Sequence, residues 1–260
     1  MNRQLITPDA SVFPDVFHPL LAQTPVYDSS CSAEARVYYL DRDGGLFLKT
    51  AAKGTLEKEA SLTRYFHKKG LATEVLAYES LEKDWMLTRR VPGEDCIHPM
   101  YLEDPRRLCD TTAQLLRMLH DTCPADCPVG HTAAYLATAR KNYKAGKYDA
   151  SLFPDNWGYA SAEDAWKVAA DNAKYLQTDT LLHGDYCLPN IMLDNWQFSG
   201  FIDVGRGGVG DRHVDLYWGA WTLQYNLKTD AWRDHFLDAY GRDRIDPELL
   251  NAIGAFEVFG

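Results

Sequence analysis

The sequence predicts an α+β protein of two lobes, and three observations carry that reading. Strand-like alternation and turn residues fill the first ninety positions around one amphipathic helix. Helical periodicity dominates from Gly93 onward. That second pattern is broken once, by two short apolar runs between Asn190 and Ile202 that read as a hairpin. The lobes are therefore placed at residues 1–90 and 91–260.

Taken in order, the first 25 residues hold Pro8, Pro14, Pro19 and Pro25 and read as a helix fragment with loops. Residues 36–40 and 46–49 alternate as strands around Asp41-Arg42-Asp43-Gly44-Gly45, where the glycines can take positive φ and close a hairpin. From Glu57 to Lys68 the apolar positions Ala60, Leu62, Tyr65 and Phe66, with Gly70 beyond the end, predict a short helix. Strands follow at residues 75–78 and 85–88, and Val91-Pro92-Gly93 ends the pattern. Further on, Pro105 to Asp121 aligns Leu108, Leu115, Leu116 and Leu119, with Pro105 where a first-turn proline is tolerated. Helices are also expected over 132–144, 162–175, 214–225, 231–240 and 247–259, and a loop over 145–160.

The chain of 260 residues has 27 basic and 37 acidic residues, a formal charge of −10, which argues against nucleic acid or an anionic membrane as main partner. An acidic protein suits a cationic small molecule, although the same charge also serves solubility alone. No apolar run reaches the roughly 20 residues of a spanning helix. Pro8, Asp9, Pro14, Asp15, His18 and Pro19 interrupt any signal-peptide core, and the six cysteines lack disulfide-frame spacing, so a cytoplasmic protein is expected. His120, Cys123, Cys127 and His131 are potential zinc ligands, but Pro124 and Pro128 among them favour a turn after a helix over a metal knuckle.

The chemistry concentrates between Leu181 and Asp203. Asp185 follows a His-Gly turn, Asn190 comes five residues later, and Asp203 ends the second apolar run. Asn190 and Asp203 offer the hard oxygen ligands that magnesium prefers, and Asp185 can accept the proton of an attacking hydroxyl. Phosphoryl transfer depends mainly on positioning and charge neutralisation, so it also needs a cation for the nucleotide phosphates. Lys49 is the candidate, with Glu59 to orient it; the alternative has Lys49 pointing to solvent and Glu59 pairing with Lys58 or Lys69.

Together, Lys49, Glu59, His183-Gly184-Asp185 through Asn190, and Ile202-Asp203-Val204-Gly205-Arg206 resemble the aminoglycoside phosphotransferases, most closely their 3'-phosphotransferase branch. Asp126-Cys127-Pro128, Asn156-Trp157, Asp211-Arg212 with Asp215, and Phe256-Glu257-Val258-Phe259 extend the similarity over most of the chain. The resemblance implies a protein-kinase-like fold, ATP or GTP with Mg2+ as cofactors, and a cationic aminoglycoside as acceptor for a monomeric or dimeric enzyme. It implies Asp185 as catalytic base, Arg206 beside the magnesium ligand and the substrate hydroxyl, Asn190 and Asp203 as metal ligands, and Lys49 on the phosphates with Glu59 as its partner. Phe47 would lie against adenine, Thr88 to Arg90 would form the adenine-binding hinge, and the loop 29–33 with Ser30 and Ser32 would cover the phosphates. Asp155, Asn226, Glu257 and Phe259 would face the acceptor.

Some positions depart from the family pattern. Phe256 stands where an aspartate is expected, Gly260 follows the terminal aromatic, Asn226 replaces an acid, and Trp218 and Trp221 make their helix aromatic. A related kinase for a sugar, a choline-like amine or another antibiotic is the alternative. A catalytically silent binding protein is a third reading, disfavoured by the intact Lys49, Glu59, Asp185, Asn190 and Asp203.

Overall fold

The alternation of the first ninety residues becomes an antiparallel sheet, and the periodic stretches after it become helices. The computed structural model describes residues 3–31, 33–152 and 159–260. In chain order its elements are β1 (Gln4–Ile6), α1 (His18–Leu21), β2 (Val26–Asp28), β3 (Ala35–Leu40), β4 (Leu46–Ala52), α2 (Glu57–Lys68), β5 (Val75–Ser80), β6 (Lys83–Arg89) and β7 (Glu94–Asp95). They continue as α3 (Pro99–Leu102), α4 (Pro105–Asp121), α5 (Thr132–Lys144), α6 (Ala162–Asn172), β8 (Thr180–Leu182), β9 (Ile191–Asp194), β10 (Gln197–Phe201), β11 (Gly208–Gly210), α7 (His213–Leu227), α8 (Arg233–Tyr240) and α9 (Pro247–Glu257).

Two compact units result, residues 1–95 with 192–205, and residues 96–191 with 206–260. This differs from a single break at residue 90, because the hairpin of β9 and β10 packs with the first unit. The cause is backbone pairing: β9 pairs with β7, and Phe201 N–H donates to Leu71 O at 2.8 Å. Gly93 makes that pairing possible, since at its φ of +84° a Cβ would come within 2.1 Å of Leu193 O.

In the first unit the sheet runs β1-β2-β3-β4-β6-β5. Strand β4 alternates, so Leu46 and Leu48 join Val26, Leu40, Trp85 and Leu87 beneath Phe13 and Phe17 of the N-terminal segment. Phe47 and Lys49 point to the other face, where Met86 packs with Leu56 and with Ala60 of α2. The N-terminal segment expected as loops and a helix fragment thus also supplies β1, and β2 follows as its partner. Each has only three residues, too few to show alternation.

In the second unit α4 occupies its expected span. Asp104 accepts the Arg107 N–H at 3.1 Å to cap it, and Pro105 fills its first turn. Its buried face carries Leu108, Leu116 and Leu119, and it packs against α7 and α8, while α9 packs against α5, α6 and α7. Among the described residues no helix is long and apolar enough to cross a membrane.

Leu48 has no exposed surface and sits at the centre of the first core, so Leu48→Ala is expected to cost about 3 kcal/mol through lost burial and the cavity left behind. Leu5→Ala, at a side chain 64% exposed, is expected to cost under about 0.5 kcal/mol. Urea midpoints of the two variants check the difference.

Candidate active site

Lys49 leaves the plane of β4 beside α2, whose first turn carries Glu59. Its Nζ donates to both Glu59 oxygens, at 2.8 and 2.9 Å, and to Asp203 Oδ1 at 2.9 Å. Glu59 therefore pairs inward with Lys49 rather than with Lys58 or Lys69. Burial alone would lower the Lys49 pKa, but the carboxylates of Asp203 and Glu59 outweigh it and hold the ammonium above its ordinary value. Burial raises the Glu59 carboxyl even though Lys49 opposes it.

The segment after β10 is shaped to deliver Asp203. That residue has a φ of +55°, a left-handed conformation that aspartate tolerates better than most residues. Two residues on, a Cβ at Gly205 would lie 3.0 Å from the Glu59 Cβ, so the glycine lets the chain pass close to the ion cluster.

Phe47 is half-buried on the same face as Lys49, opposite Thr88 across the sheet. Its ring lies 5.2 Å from that of Tyr39, over which the Arg3 guanidinium sits at 3.8 Å. Two donors of the expected hinge are already engaged. Arg89 N–H donates to Glu74 O and Arg90 N–H to Gly45 O, because the sheet continues through these residues and takes their donors. Ser30 is also committed locally: its Oγ accepts the Val37 N–H at 3.0 Å and its N–H donates to Asp28 at 2.9 Å. Ser32 and Asp155 lie outside the described residues.

In the second unit, β8 runs directly into His183-Gly184-Asp185. The turn is held from below by Asp215 of α7, which has no exposed surface. Its Oδ2 accepts His183 N–H at 2.7 Å and its Oδ1 accepts Gly184 N–H at 2.8 Å. His120 Nε2 lies 3.2 Å from Oδ2, and His120 Nδ1 lies 2.9 Å from the Tyr240 hydroxyl. Burial would raise the Asp215 pKa, but His120, His183 and the Gly184 N–H reverse that and hold it low. His120, one of the zinc candidates, is thus engaged by Asp215 and Tyr240. Gly184 has a φ of +82°, and a Cβ there would stand 2.3 Å from Arg206 O.

Beyond the turn, a short 3-10 helix over Leu188–Asn190 brings Asn190 back to Asp185. Asn190 Nδ2 donates to the Asp185 carbonyl at 3.0 Å and to Asp185 Oδ2 at 3.1 Å. This orients the carboxylate and leaves Asn190 Oδ1 uncommitted among the described residues. Leu188 N–H donates to Thr222 Oγ1, tying the loop to α7 a second time.

The expected acceptor residues divide. Glu257 ends α9 next to the charges of Arg206 and Asp185, accepts the Tyr135 hydroxyl at 2.8 Å, and is hydrogen-bonded by Trp218. Burial pushes its carboxyl up to about 7 against the pull of these partners. Phe259 does not face a ligand: it is 1% exposed and packs edge-on against Tyr143 and Trp166. Asn226 turns its Nδ2 back on its own helix, to Thr222 O at 2.8 Å. Sequence reasoning assigned no role to Asp215. Its signal was present as a lone acid among apolar residues of a helix, a pattern that demands a buried partner.

The sequence model of the phosphotransferase enzyme family matches residues 31–251. A probable aminoglycoside 3'-phosphotransferase of Lactococcus lactis subsp. lactis is 46% identical over 250 residues, covering 95% of each chain. The chain belongs to the aminoglycoside phosphotransferase family. The aminoglycoside 3'-phosphotransferase of Streptomyces fradiae is 30% identical over 207 residues, covering 75% of this chain and 76% of that one. Among solved aminoglycoside phosphotransferases, the 3'-enzyme of type VIII superposes with a TM-score of 0.70 at 24% identity, over 99% of this chain and 94% of that one. A Streptomyces rimosus aminoglycoside phosphotransferase in complex with ADP and streptomycin superposes with a TM-score of 0.69 at 22% identity, over 86% and 91%. The fold is thus the α+β, kinase-like fold of this family.

Two outcomes follow from the second unit. Asp215→Ala leaves the His183 and Gly184 N–H groups buried without acceptors, so a loss of about 3 kcal/mol in urea unfolding is expected. Glu257 has a folded pKa near 7, above the 4.5 of the free carboxyl, so its protonated form favours folding at low pH. That contribution is lost as pH rises through 7. The stability of the native protein relative to Glu257→Gln is therefore expected to fall by up to about 3 kcal/mol between pH 4.5 and pH 8, read from urea midpoints across that range.

Proposed function

We propose that this protein transfers the γ-phosphoryl group of a nucleoside triphosphate to the 3'-hydroxyl of an aminoglycoside, and so confers resistance to it. The observation that carries the reading is the Lys49 ammonium, held by Glu59 and Asp203 and kept charged by them. A fixed cation beside a carboxylate is what the phosphates and metal of a bound nucleotide require. The acceptor class follows from the 46% identity to the Lactococcus lactis protein.

In this reading Lys49 binds the nucleotide phosphates, and Glu59 keeps it extended. Phe47 supplies an aromatic face for the base, on the same side of the sheet as Lys49. Asn190 Oδ1 and the Asp203 oxygen that does not meet Lys49 would each offer a hard oxygen to Mg2+. They fit a hard cation that takes few protein oxygens and completes its shell with phosphate and water. When bound, the ion neutralises charge on the transferring group.

Asp185 accepts the proton from the attacking hydroxyl, and the Asn190 amide holds one of its oxygens in place. Arg206 adds positive charge beside the acceptor. Glu257, with Asp155, meets ammonium groups of the drug; a charge pair at about 4 Å contributes roughly 4 kcal/mol at an effective dielectric of 20.

A second reading, a kinase for a different small alcohol or amine, is favoured by Asn226 and Phe256 in place of expected acids. ADP release with ATP and Mg2+ across kanamycin, neomycin, amikacin, choline and simple sugars separates the two. Turnover of an aminoglycoside is expected; turnover of choline or a sugar alone selects the second reading. Asp185→Asn is expected to lose at least about 10²-fold in kcat with nucleotide binding retained. Lys49→Ala is expected to raise the nucleotide KM and lower kcat in the same assay, because the phosphates lose their fixed cation.

A further inference from the structure

Helix α2 starts without a cap of its own. The residue at its N-cap position is Leu56, whose side chain has no oxygen to accept the first free N–H groups of the helix. The acceptor comes from the sheet instead. Asp84 of β6, with no exposed surface, accepts the Leu56 N–H on Oδ2 at 2.9 Å and the Ser80 hydroxyl on Oδ1 at 2.7 Å. Its backbone carbonyl accepts the Thr50 hydroxyl of β4 at 2.9 Å. Burial would raise the Asp84 pKa, but the Gly54 and Leu56 N–H groups and the Ser80 hydroxyl reverse that and hold it low.

These contacts fall on both sides of the ion pair. Thr50 directly follows Lys49 in β4, and Leu56 lies three residues before Glu59, nearly one helical turn. Two residues along β6, Met86 stands opposite Lys49 and packs against Leu56 and Ala60. One strand thus holds both the element that carries the ammonium and the element that carries its carboxylate. Apolar packing alone lets a helix slide or turn on a sheet, whereas a buried hydrogen bond to a carboxylate fixes one point of it. The fixed point is the start of the turn that carries Glu59, and a helix end without an acceptor frays.

We propose that Asp84 is a positioning residue for the reaction: by anchoring the start of α2 to β6 it sets the place of Glu59, and through Glu59 the reach of Lys49 toward the nucleotide phosphates. This rests on the reading of Lys49 as the phosphate-binding cation of a kinase. Asp84 is enclosed by protein and touches neither nucleotide nor acceptor.

The test is ADP release with ATP and Mg2+ for Asp84→Asn, Glu59→Gln and the double variant, with kanamycin as acceptor, or choline if that is what the wild-type protein turns over. Asparagine keeps the shape of the side chain but turns an amide NH2 toward one of the two donors. Asp84→Asn is expected to lower kcat/KM for ATP about fivefold to tenfold, the scale of one hydrogen bond, with the acceptor KM within about twofold. In the Glu59→Gln background the same substitution is expected to change kcat/KM for ATP by less than about twofold, because its effect passes through Glu59. Phe17→Leu, which loosens the core on the opposite face of the sheet, controls for lost stability alone and is expected to lower the urea midpoint with ATP kinetics unchanged. Ser80→Ala removes one donor to Asp84 and is expected to act in the same direction, about twofold to threefold, which keeps the test valid if Asp84→Asn unfolds. Unchanged kcat/KM for ATP in Asp84→Asn and Ser80→Ala, with wild-type turnover intact, makes Asp84 a cap for stability only; it overturns the proposal and leaves the kinase reading standing. So does full additivity of Asp84→Asn with Glu59→Gln. If the wild-type protein neither binds ATP by calorimetry nor releases ADP, both readings fall.

Discussion

A lysine ammonium gripped by two carboxylates, one from α2 and one from the segment after β10, is the constraint on which the first unit is built. Lys49 and Glu59 are both largely buried, so removing either leaves the charge of the other short of compensation, while Asp203 is about half exposed. Several otherwise separate features serve the cluster. The alternation of β4 sends Lys49 away from the leucine core, and Gly205 admits the close passage of the chain past Glu59. The left-handed backbone at Asp203 then directs the second carboxylate.

The second unit solves a different problem with the same economy. Asp185 must be presented on a turn whose own backbone donors would otherwise be stranded in the interior. Asp215 accepts two of them from beneath, and Asn190 holds the side chain itself. The loop is therefore positioned through backbone groups, which makes its geometry independent of most neighbouring side chains.

Much of this was legible in the sequence because it depends on periodicity and on motif chemistry. The spans of α2, α4 and α5 could be read from apolar spacing and terminal residues, and Lys49, Glu59, Asp185, Asn190 and Asp203 from the types of group that phosphoryl transfer needs. The three-residue strands β1, β2, β8 and β11 could not, since their identity comes from pairing across long sequence separations. At residues 88–90 strand β6 runs on through Arg89, and only the fold reveals that the Arg89 and Arg90 N–H groups are taken. Phe259 stands where the family pattern has a terminal aromatic and was expected to face the acceptor, yet it packs against Trp166 and Tyr143. The role of Asp215 required knowing which backbone N–H groups α7 would meet.

The pairing of β9 with β7, and of Phe201 with Leu71, also bears on how the chain matures. A ribosome releases the protein from its N-terminus, so β1 to β7 and α2 emerge long before the hairpin that belongs with them. At that stage Lys49 can meet Glu59 but not Asp203, which follows more than a hundred residues later. The first unit to appear is thus completed only at residue 205, with much of the other unit already made. Its closing strand pair arrives only after α4, α5 and α6 of the other unit have been made, and truncating the chain at the end of β7 would remove the acid that completes the cluster.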